Sequence, residues 1–259
     1  MQKERCMAVY RSDPDLVFLK ECANDDLKLL VDVLTIDPKD KCARYTETLT
    51  SDSEYKKYNP NHKAYWQSIA AELQAYGGST ITNIMRRNKG VPYREILTDV
   101  CDKMKVNYNK NAAIELIEMN LLMKMLEDSM TQMSDEQLNQ FVRDMGMKLT
   151  NPTPQVVIMA LQSSIAMSGF AAYQLATTVL ASILRLIGIT APFVTYVLLT
   201  QAMKVIFGPI GWVVSSAWLV TDIAGPAYRV TIPSCIIVAY LRQKHLYEQT
   251  QKENGVSQA

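Results

Sequence analysis

The second half of the chain contains very few charged residues. Between Asn151 and Tyr228 the charged side chains are Arg185, Lys204 and Asp222, whereas about a quarter of the residues in a soluble domain are charged. Of the 27 basic and 26 acidic residues of the chain, nine lie after residue 150. Because a surface that faces water normally carries many charged side chains, this distribution predicts that the second half faces lipid or protein.

An uncharged run of 18 residues from Leu186 to Met203 is the best candidate for a membrane helix. With a rise of ~1.5 Å per residue, such a helix spans about 27 Å, close to the thickness of the hydrocarbon layer. Leu186, Phe193, Val197 and Leu199 represent its apolar side chains. Pro192 and three threonines weaken insertion. Two arrangements therefore stay open: a bundle of packed membrane helices, or an apolar hairpin that is buried until it inserts.

A soluble all-α core, covered by the charged first half, is the alternative. Asp222 favours it, because an unpaired carboxylate in a bilayer costs about 2.5 to 3.5 kcal/mol. Arg229 lies two helical turns after Asp222 and is a possible partner for it. Alternatively, Asp222 caps the turn before Gly225 and Pro226.

The first 150 residues have the pattern of an all-helical domain. Leu27, Leu30, Val31 and Leu34 follow helical spacing after Asn24, a possible cap. Similar stripes recur up to a capping-box sequence, Ser134–Gln137. We therefore predict an all-α fold with a soluble helical domain over 1–150, an apolar helical bundle or hairpin over 151–245, and a polar tail over 246–259.

Sequence patterns for catalysis or cofactor binding are scarce. The chain has five scattered cysteines and two histidines, and we expect His62 to be solvated in a polar loop. Phosphate-binding and dinucleotide-binding glycine motifs and zinc-protease motifs do not occur. Glu72, Arg94, Glu95 and Asp99 are possible acid-base groups, but exposed ion pairs explain them better. We predict no enzyme activity, cofactor, metal, nucleic acid or small-molecule substrate.

Two further patterns concern contacts with partners. Seven methionines lie between Met119 and Met147, and such a pliable cluster either fills the core or accepts a partner helix or lipid. The segment Arg242–His245 follows the apolar residues Ile236–Leu241. It resembles the basic edge of a membrane segment on the cytoplasmic side.

Three blocks of sequence carry a family resemblance. They are Trp66–Gln74 followed by two glycines, Tyr93–Val100, and Gly225–Pro233 with Leu241 and Arg242. In this order they resemble the YaaW family of bacterial proteins. Residues 60–145 also resemble the ubiquinol-cytochrome c chaperone family, whose members assist the assembly of a respiratory complex. That likeness implies a protein-binding helical domain near a membrane. The candidate interaction or structural residues within the blocks are Trp66, Glu72, Gly77, Gly78, Tyr93, Arg94, Glu95, Asp99, Gly225, Pro226, Tyr228, Arg229 and Pro233.

These patterns favour a non-enzymatic protein with a cytoplasmic partner-binding domain and a second half that embeds in, or inserts into, the bacterial inner membrane. Its expected partners are membrane lipid and a second protein or another copy of itself. The alternative is a soluble assembly chaperone or adaptor, whose apolar half forms a core or a client-binding groove. An enzyme with an unrecognised site is a third hypothesis.

Overall fold

A computed structural model describes residues 7–37, 41–44, 46–78, 90–131, 133–167, 169–186 and 228–256. These residues form an all-α fold with short 3-10 turns at Val17–Glu21, Leu49–Ser51 and His62–Tyr65. An isolated antiparallel bridge joins Ile36 to Ala43. The α-helices are α1 (Asn24–Thr35), α2 (Ser53–Tyr58), α3 (Trp66–Gly77), α4 (Tyr93–Lys103), α5 (Ile114–Met130), α6 (Asp135–Asp144), α7 (Pro154–Met167), α8 (Gly169–Leu186) and α9 (Tyr228–Val256).

Local sequence signals account for several helix ends. The capping box of α6 is confirmed, because the Ser134 side chain accepts from the Gln137 N–H and Gln137 bonds back to Ser134. The prediction that Asn24 caps α1 is wrong: Asn24 lies inside the helix. Its side chain donates to the Pro60 carbonyl and accepts from the His62 N–H. Asn24 therefore connects α1 to the turn after α2.

The end of α3 is set by close packing. In the sequence, Gly77 and Gly78 predict a helix end with a left-handed glycine. The helix does end at Gly77, but Gly78 has φ −93°, so it is not left-handed. A Cβ at Gly77 would lie 2.4 Å from Ile96 Cγ1 and 2.7 Å from Val91 Cγ2. Glycine at position 77 thus lets α3 approach the start of α4.

The long helix α9 lies at the centre of the described fold. It makes its largest contact with α8 and also packs on α1, α3, α4 and α5. One hydrophobic core extends from Leu16 to Leu241. Met119, Met123, Met125 and Met130 of α5 lie in this core. The core therefore includes residues on both sides of position 150. The division into domains at that position stays a prediction.

The described residues do not show the apolar helical bundle or hairpin that was predicted for the second half. The first half of α9 packs among the helices of the first 150 residues, since Val230 and the stretch from Cys235 to Leu241 are buried. Among the described residues, none of the helices combines the length and apolar character needed to cross a membrane. Leu186 ends α8, while Phe193, Val197 and Leu199 lie outside the described residues.

Candidate functional site

A buried ion pair joins α9 to α5. Arg242 Nε donates to Glu118 Oε2 at 2.9 Å, and the Glu118 side chain is fully buried. A second guanidinium nitrogen of Arg242 donates to the Asp15 carbonyl at 2.6 Å. The guanidinium also lies 4.3 Å from the centre of the Phe18 ring. Arg242 therefore fastens the N-terminal segment, α5 and α9 to one another.

The surroundings of this pair are equally buried. Burial raises the pKa of Glu118, an effect that Arg242 opposes. Burial acts to lower the pKa of Arg242, but its interactions with Glu118, Tyr93 and Glu115 together outweigh this effect, and the pKa of Arg242 is raised. The Tyr93 hydroxyl donates to the Cys235 carbonyl at 3.4 Å. Burial raises the pKa of the Tyr93 hydroxyl and the pKa of the Cys235 thiol. Removing one member of a buried ion pair leaves the other charge without its partner, which strongly destabilises a fold.

Asp13 fixes the N-terminal segment to the start of α4. Its Oδ2 accepts from the Tyr93 N–H at 2.6 Å and from Gln74 Nε2 at 3.3 Å, while Oδ1 accepts from the Asp15 N–H. Gln74 also exchanges two hydrogen bonds with the Arg11 backbone. A carboxylate at a helix N-terminus satisfies free N–H groups there.

Glu72 is buried inside α3, although we expected an exposed ion pair. Its two carboxylate oxygens accept from the Thr48 N–H at 2.9 Å and from the Thr48 hydroxyl at 2.7 Å. Burial raises the pKa of Glu72 to about 7, and the bonds from Thr48 oppose this shift. Glu72 therefore anchors the loop between α1 and α2 to α3.

The other predicted acid-base residues lie on the outer side of α4. Arg94 donates to the carbonyls of Lys110 and Ala112 at 3.2 and 2.9 Å and lies 3.8 Å from an Asp15 carboxylate oxygen. Glu95 and Asp99 are exposed. Glu72 and Arg94 therefore contact different segments of the fold.

The remaining candidate residues are spread along the fold. Trp66 packs edge-on against Tyr10, with ring centres 5.4 Å apart. Tyr228 lies beneath the Lys103 ammonium at 5.3 Å. Arg229 is half-buried in the first turn of α9, and Pro233 is buried inside that helix. Gly225, Pro226 and Asp222 lie outside the described residues.

Sequence reasoning missed Glu118, and it assigned a different role to Arg242. Glu118 lies on the apolar face of α5, between Ile117 and the next turn at Leu121 and Leu122, all buried. A charge at that position of an apolar stripe was the available signal. Arg242 was predicted at a membrane edge, but protein surrounds it. The prediction of a solvated His62 is wrong: His62 is buried, with Nδ1 2.5 Å from the Tyr65 hydroxyl.

Helix α7 and the start of α8 expose an apolar surface that we call the uncharged face. The sequence has no charged residue between Lys148 and Arg185. On this surface Met159 is 65% exposed and Met167 is 88% exposed. Val157 and Leu161 point the other way, into the core. The uncharged face comprises Val156, Met159, Ser163, Ala166, Met167 and Phe170.

Groups of three or more potential metal ligands do not occur within the described parts of the chain. The polar groups described above join elements of the fold. Among the described residues, the exposed feature that stands out is therefore the uncharged face.

Comparison with known proteins gives extensive similarity to one group. A UPF0174 protein of Helicobacter pylori strain J99 is 42% identical over 237 residues, which cover 91% of this chain and 93% of that protein. This chain belongs to the UPF0174 family. A second UPF0174 protein, from Helicobacter pylori strain 26695, is 41% identical over 204 residues, covering 76% of this chain and 97% of that protein.

The same family includes the UPF0174 protein YaaW of Escherichia coli K12. YaaW is 30% identical over 237 residues, which cover 90% of this chain and 95% of YaaW. The resemblance to the YaaW family seen in the sequence is therefore confirmed. Solved structures offer no match to this UPF0174 chain.

Two family models match parts of this UPF0174 chain. Residues 10–45 match a domain of unknown function, DUF3944. Residues 61–236 match the family described as ubiquinol-cytochrome C chaperone. The second match covers more than half of the chain, so this chain is a member of the ubiquinol-cytochrome C chaperone family as well. It extends beyond the stretch 60–145 that carried the resemblance in the sequence, and it includes the uncharged face.

Proposed function

We propose that this protein is a non-enzymatic assembly chaperone or adaptor that binds a partner protein. The observation that carries the proposal is the uncharged face, which lies within the residues that match the ubiquinol-cytochrome C chaperone family. Exposed apolar surfaces on soluble folds mark contact sites for other molecules. Engagement of Glu72, Tyr93 and Arg94 in contacts within the fold supports a binding role over catalysis.

An aggregation assay tests this function. A helical reporter protein, unfolded in guanidinium and diluted into buffer, is followed by light scattering. We expect the full-length protein to suppress aggregation at an equimolar ratio without nucleotide, and to elute with the reporter in size exclusion. Unchanged scattering with the protein in excess at a concentration of about 10 μM, roughly ten times a micromolar Kd, would contradict the proposal.

Membrane association is a second candidate, supported by the sequence. Residues 187–227 contain only two charged residues, Lys204 and Asp222, which suits lipid contact. In this proposal the protein acts at the cytoplasmic side of the bacterial inner membrane, and lipid is a partner beside a client protein or another copy of this chain.

Cell fractionation tests the membrane proposal. We expect the protein to stay with membranes after an alkaline carbonate wash, and Val197→Arg to release it, because Arg inside a bilayer costs about 2.5 to 3.5 kcal/mol. Val197→Leu is the matched control and should remain bound. A carbonate-soluble wild-type protein would end this proposal without affecting the aggregation assay.

A further inference from the structure

The uncharged face follows helical periodicity. Val156, Met159, Ser163, Ala166 and Met167 are spaced three, four, three and one residues apart, which puts them on one side of α7. This side extends for about 17 Å at ~1.5 Å per residue. The uncharged face is therefore a narrow strip along one side of a helix, and such a strip suits an elongated partner.

The hydroxyl groups near this face are already satisfied by their own helix. Ser163 Oγ donates to the Met159 carbonyl at 3.1 Å, and Ser164 Oγ donates to the Ala160 carbonyl at 3.0 Å. Serines bonded to the preceding turn in this way offer no free donor. The free-energy cost of removing water from these serines is therefore lower than for serines whose hydroxyl groups donate hydrogen bonds to water.

Charge decides which partners fit. A charged side chain placed on this face would lose its water, and α7 and the start of α8 offer it no counter-charge. The complementary surface is therefore itself uncharged. The flexible side chains of Met159 and Met167 provide the large apolar contacts. Phe170 is 47% exposed and packs on Tyr247 of α9, with ring centres 5.6 Å apart.

Small residues favour a helix over lipid as the occupant. Ala160, Ser163 and Ala166 separate the larger side chains of α7, and small residues allow two helix backbones to approach closely. Lipid chains gain nothing from such gaps.

We propose that the uncharged face binds an uncharged apolar helix of the partner protein. This inference rests on the proposed chaperone or adaptor function and names the class of segment that it recognises. The helix lies along α7 with its small residues opposite Ser163 and Ala166, and Met159, Met167 and Phe170 pack around it.

Fluorescence anisotropy with a synthetic probe tests the inference. The probe is a fluorescein-labelled helix of about 20 leucine, alanine and serine residues with two lysines at each end, a length that exceeds the α7 surface. We expect the full-length wild-type protein to bind it. The double variant Met159→Glu/Met167→Glu should bind at least about tenfold more weakly, because each substitution buries a charge without a partner.

Two controls separate this effect from unfolding and from general hydrophobicity. Met167→Leu keeps the apolar surface and should bind like the wild type. Leu116→Glu alters a residue on α5 that is 54% exposed and should also leave binding unchanged. Circular dichroism checks that all variants keep their helical content, since Glu is a good helix former.

The outcomes are distinct. Equal binding by the wild type and the Met159→Glu/Met167→Glu variant overturns the inference, and so does an equal loss in Leu116→Glu. Binding of the wild type to phosphatidylethanolamine/phosphatidylglycerol vesicles that the double variant loses, without peptide binding, assigns the face to lipid and also overturns it. In the aggregation assay, an inactive wild type ends the proposed function, whereas an active wild type with an equally active double variant ends only this inference.

Discussion

Arg242 and Glu118 are 124 residues apart in the sequence, yet Arg242 Nε lies 2.9 Å from Glu118 Oε2 in the buried core. The same guanidinium reaches the Asp15 carbonyl. Arg242 thus connects residues of the DUF3944 match at 10–45 with residues of the chaperone-family match at 61–236. The two matched regions share one core, and α9 packs against helices of both.

Breaking this ion pair should strongly destabilise the protein. We expect Arg242→Met to lower the free energy of unfolding by about 3 to 5 kcal/mol, because Glu118 is then left buried without its counter-charge. The double variant Glu118→Leu/Arg242→Met should recover most of the loss, since neither charge remains. Guanidinium unfolding followed by circular dichroism measures both.

An exposed ion pair provides the control for this experiment. Lys28 and Asp32 lie one turn apart on α1, and the Lys28 side chain is 55% exposed. Lys28→Met should therefore change stability by less than about 1 kcal/mol. Independent, additive losses from the Glu118 and Arg242 substitutions would contradict the coupling that the structure indicates.

Glu72 should make stability depend on pH. Its pKa is raised to about 7 in the folded protein, so the folded state binds the proton more tightly than the unfolded state. The resulting stabilisation is fully present below the unfolded pKa and is lost as the pH rises towards 7. We expect Glu72→Gln to remove this dependence and to be more stable than the wild type at pH 8, by up to about 3 kcal/mol. The Gln oxygen can accept from the Thr48 N–H, and the Thr48 hydroxyl, unlike an N–H group, can turn to accept from the Gln NH₂ group.

The measurement is the difference in unfolding free energy between the variant and the wild type from pH 4 to pH 8. Glu95→Gln, at an exposed position of α4, should give a flat difference. A flat difference for Glu72→Gln as well would show that burial does not shift its titration.

The local parts of this fold could be predicted from the sequence. The capping box at Ser134 depends on residues within one helical turn and was found where expected, whereas the close packing of Gly77 against Val91 and Ile96 at the end of α3 could not be predicted. All-α organisation follows from the same short-range periodicity. The position of α9 could not be predicted in this way, because apolar residues such as Ile236 and Ile237 suit a membrane and a protein core equally.

The candidate site shows the same division. Absence of charge between Lys148 and Arg185 is visible in the sequence and draws attention to α7. The direction in which each side chain points depends on packing, so the exposure of Met159 and the burial of Leu161 needed the structure. Glu72 and Glu118 were misread or missed because their partners, Thr48 and Arg242, come from distant segments.

Gly90 should not tolerate a side chain. A Cβ at this position would lie 2.0 Å from the Gln74 carbonyl oxygen, a backbone atom of α3. We expect Gly90→Ala to destabilise the protein by about 3 kcal/mol or more, because relief requires α3 and the start of α4 to move apart. Gly169→Ala is the control: nothing lies within 4 Å of its Cβ, so thermal unfolding should show no loss. Equal melting temperatures for the two variants would refute the close approach.

Replacing Asp13 with asparagine should weaken the junction between the N-terminal segment and α4. Both carboxylate oxygens of Asp13 accept hydrogen bonds, Oδ1 from the Asp15 N–H and Oδ2 from the Tyr93 N–H and Gln74 Nε2. An asparagine has one acceptor oxygen, so its NH₂ group must face a donor. We expect Asp13→Asn to lower the unfolding free energy by about 1 to 3 kcal/mol, the cost of buried unsatisfied donors.

Asp52 is the matched control for this substitution. It caps α2, but its hydrogen bonds from the Glu54 and Tyr55 N–H groups and from the Ser68 hydroxyl all go to Oδ1. Asparagine keeps that oxygen and is as good a cap as aspartate, so Asp52→Asn should change stability by less than about 0.5 kcal/mol. Urea unfolding compares the two variants. Similar small losses in both would mean that the second oxygen of Asp13 contributes nothing, and the N-terminal segment would then be held to α3 by the hydrogen bonds between Gln74 and the Arg11 backbone instead.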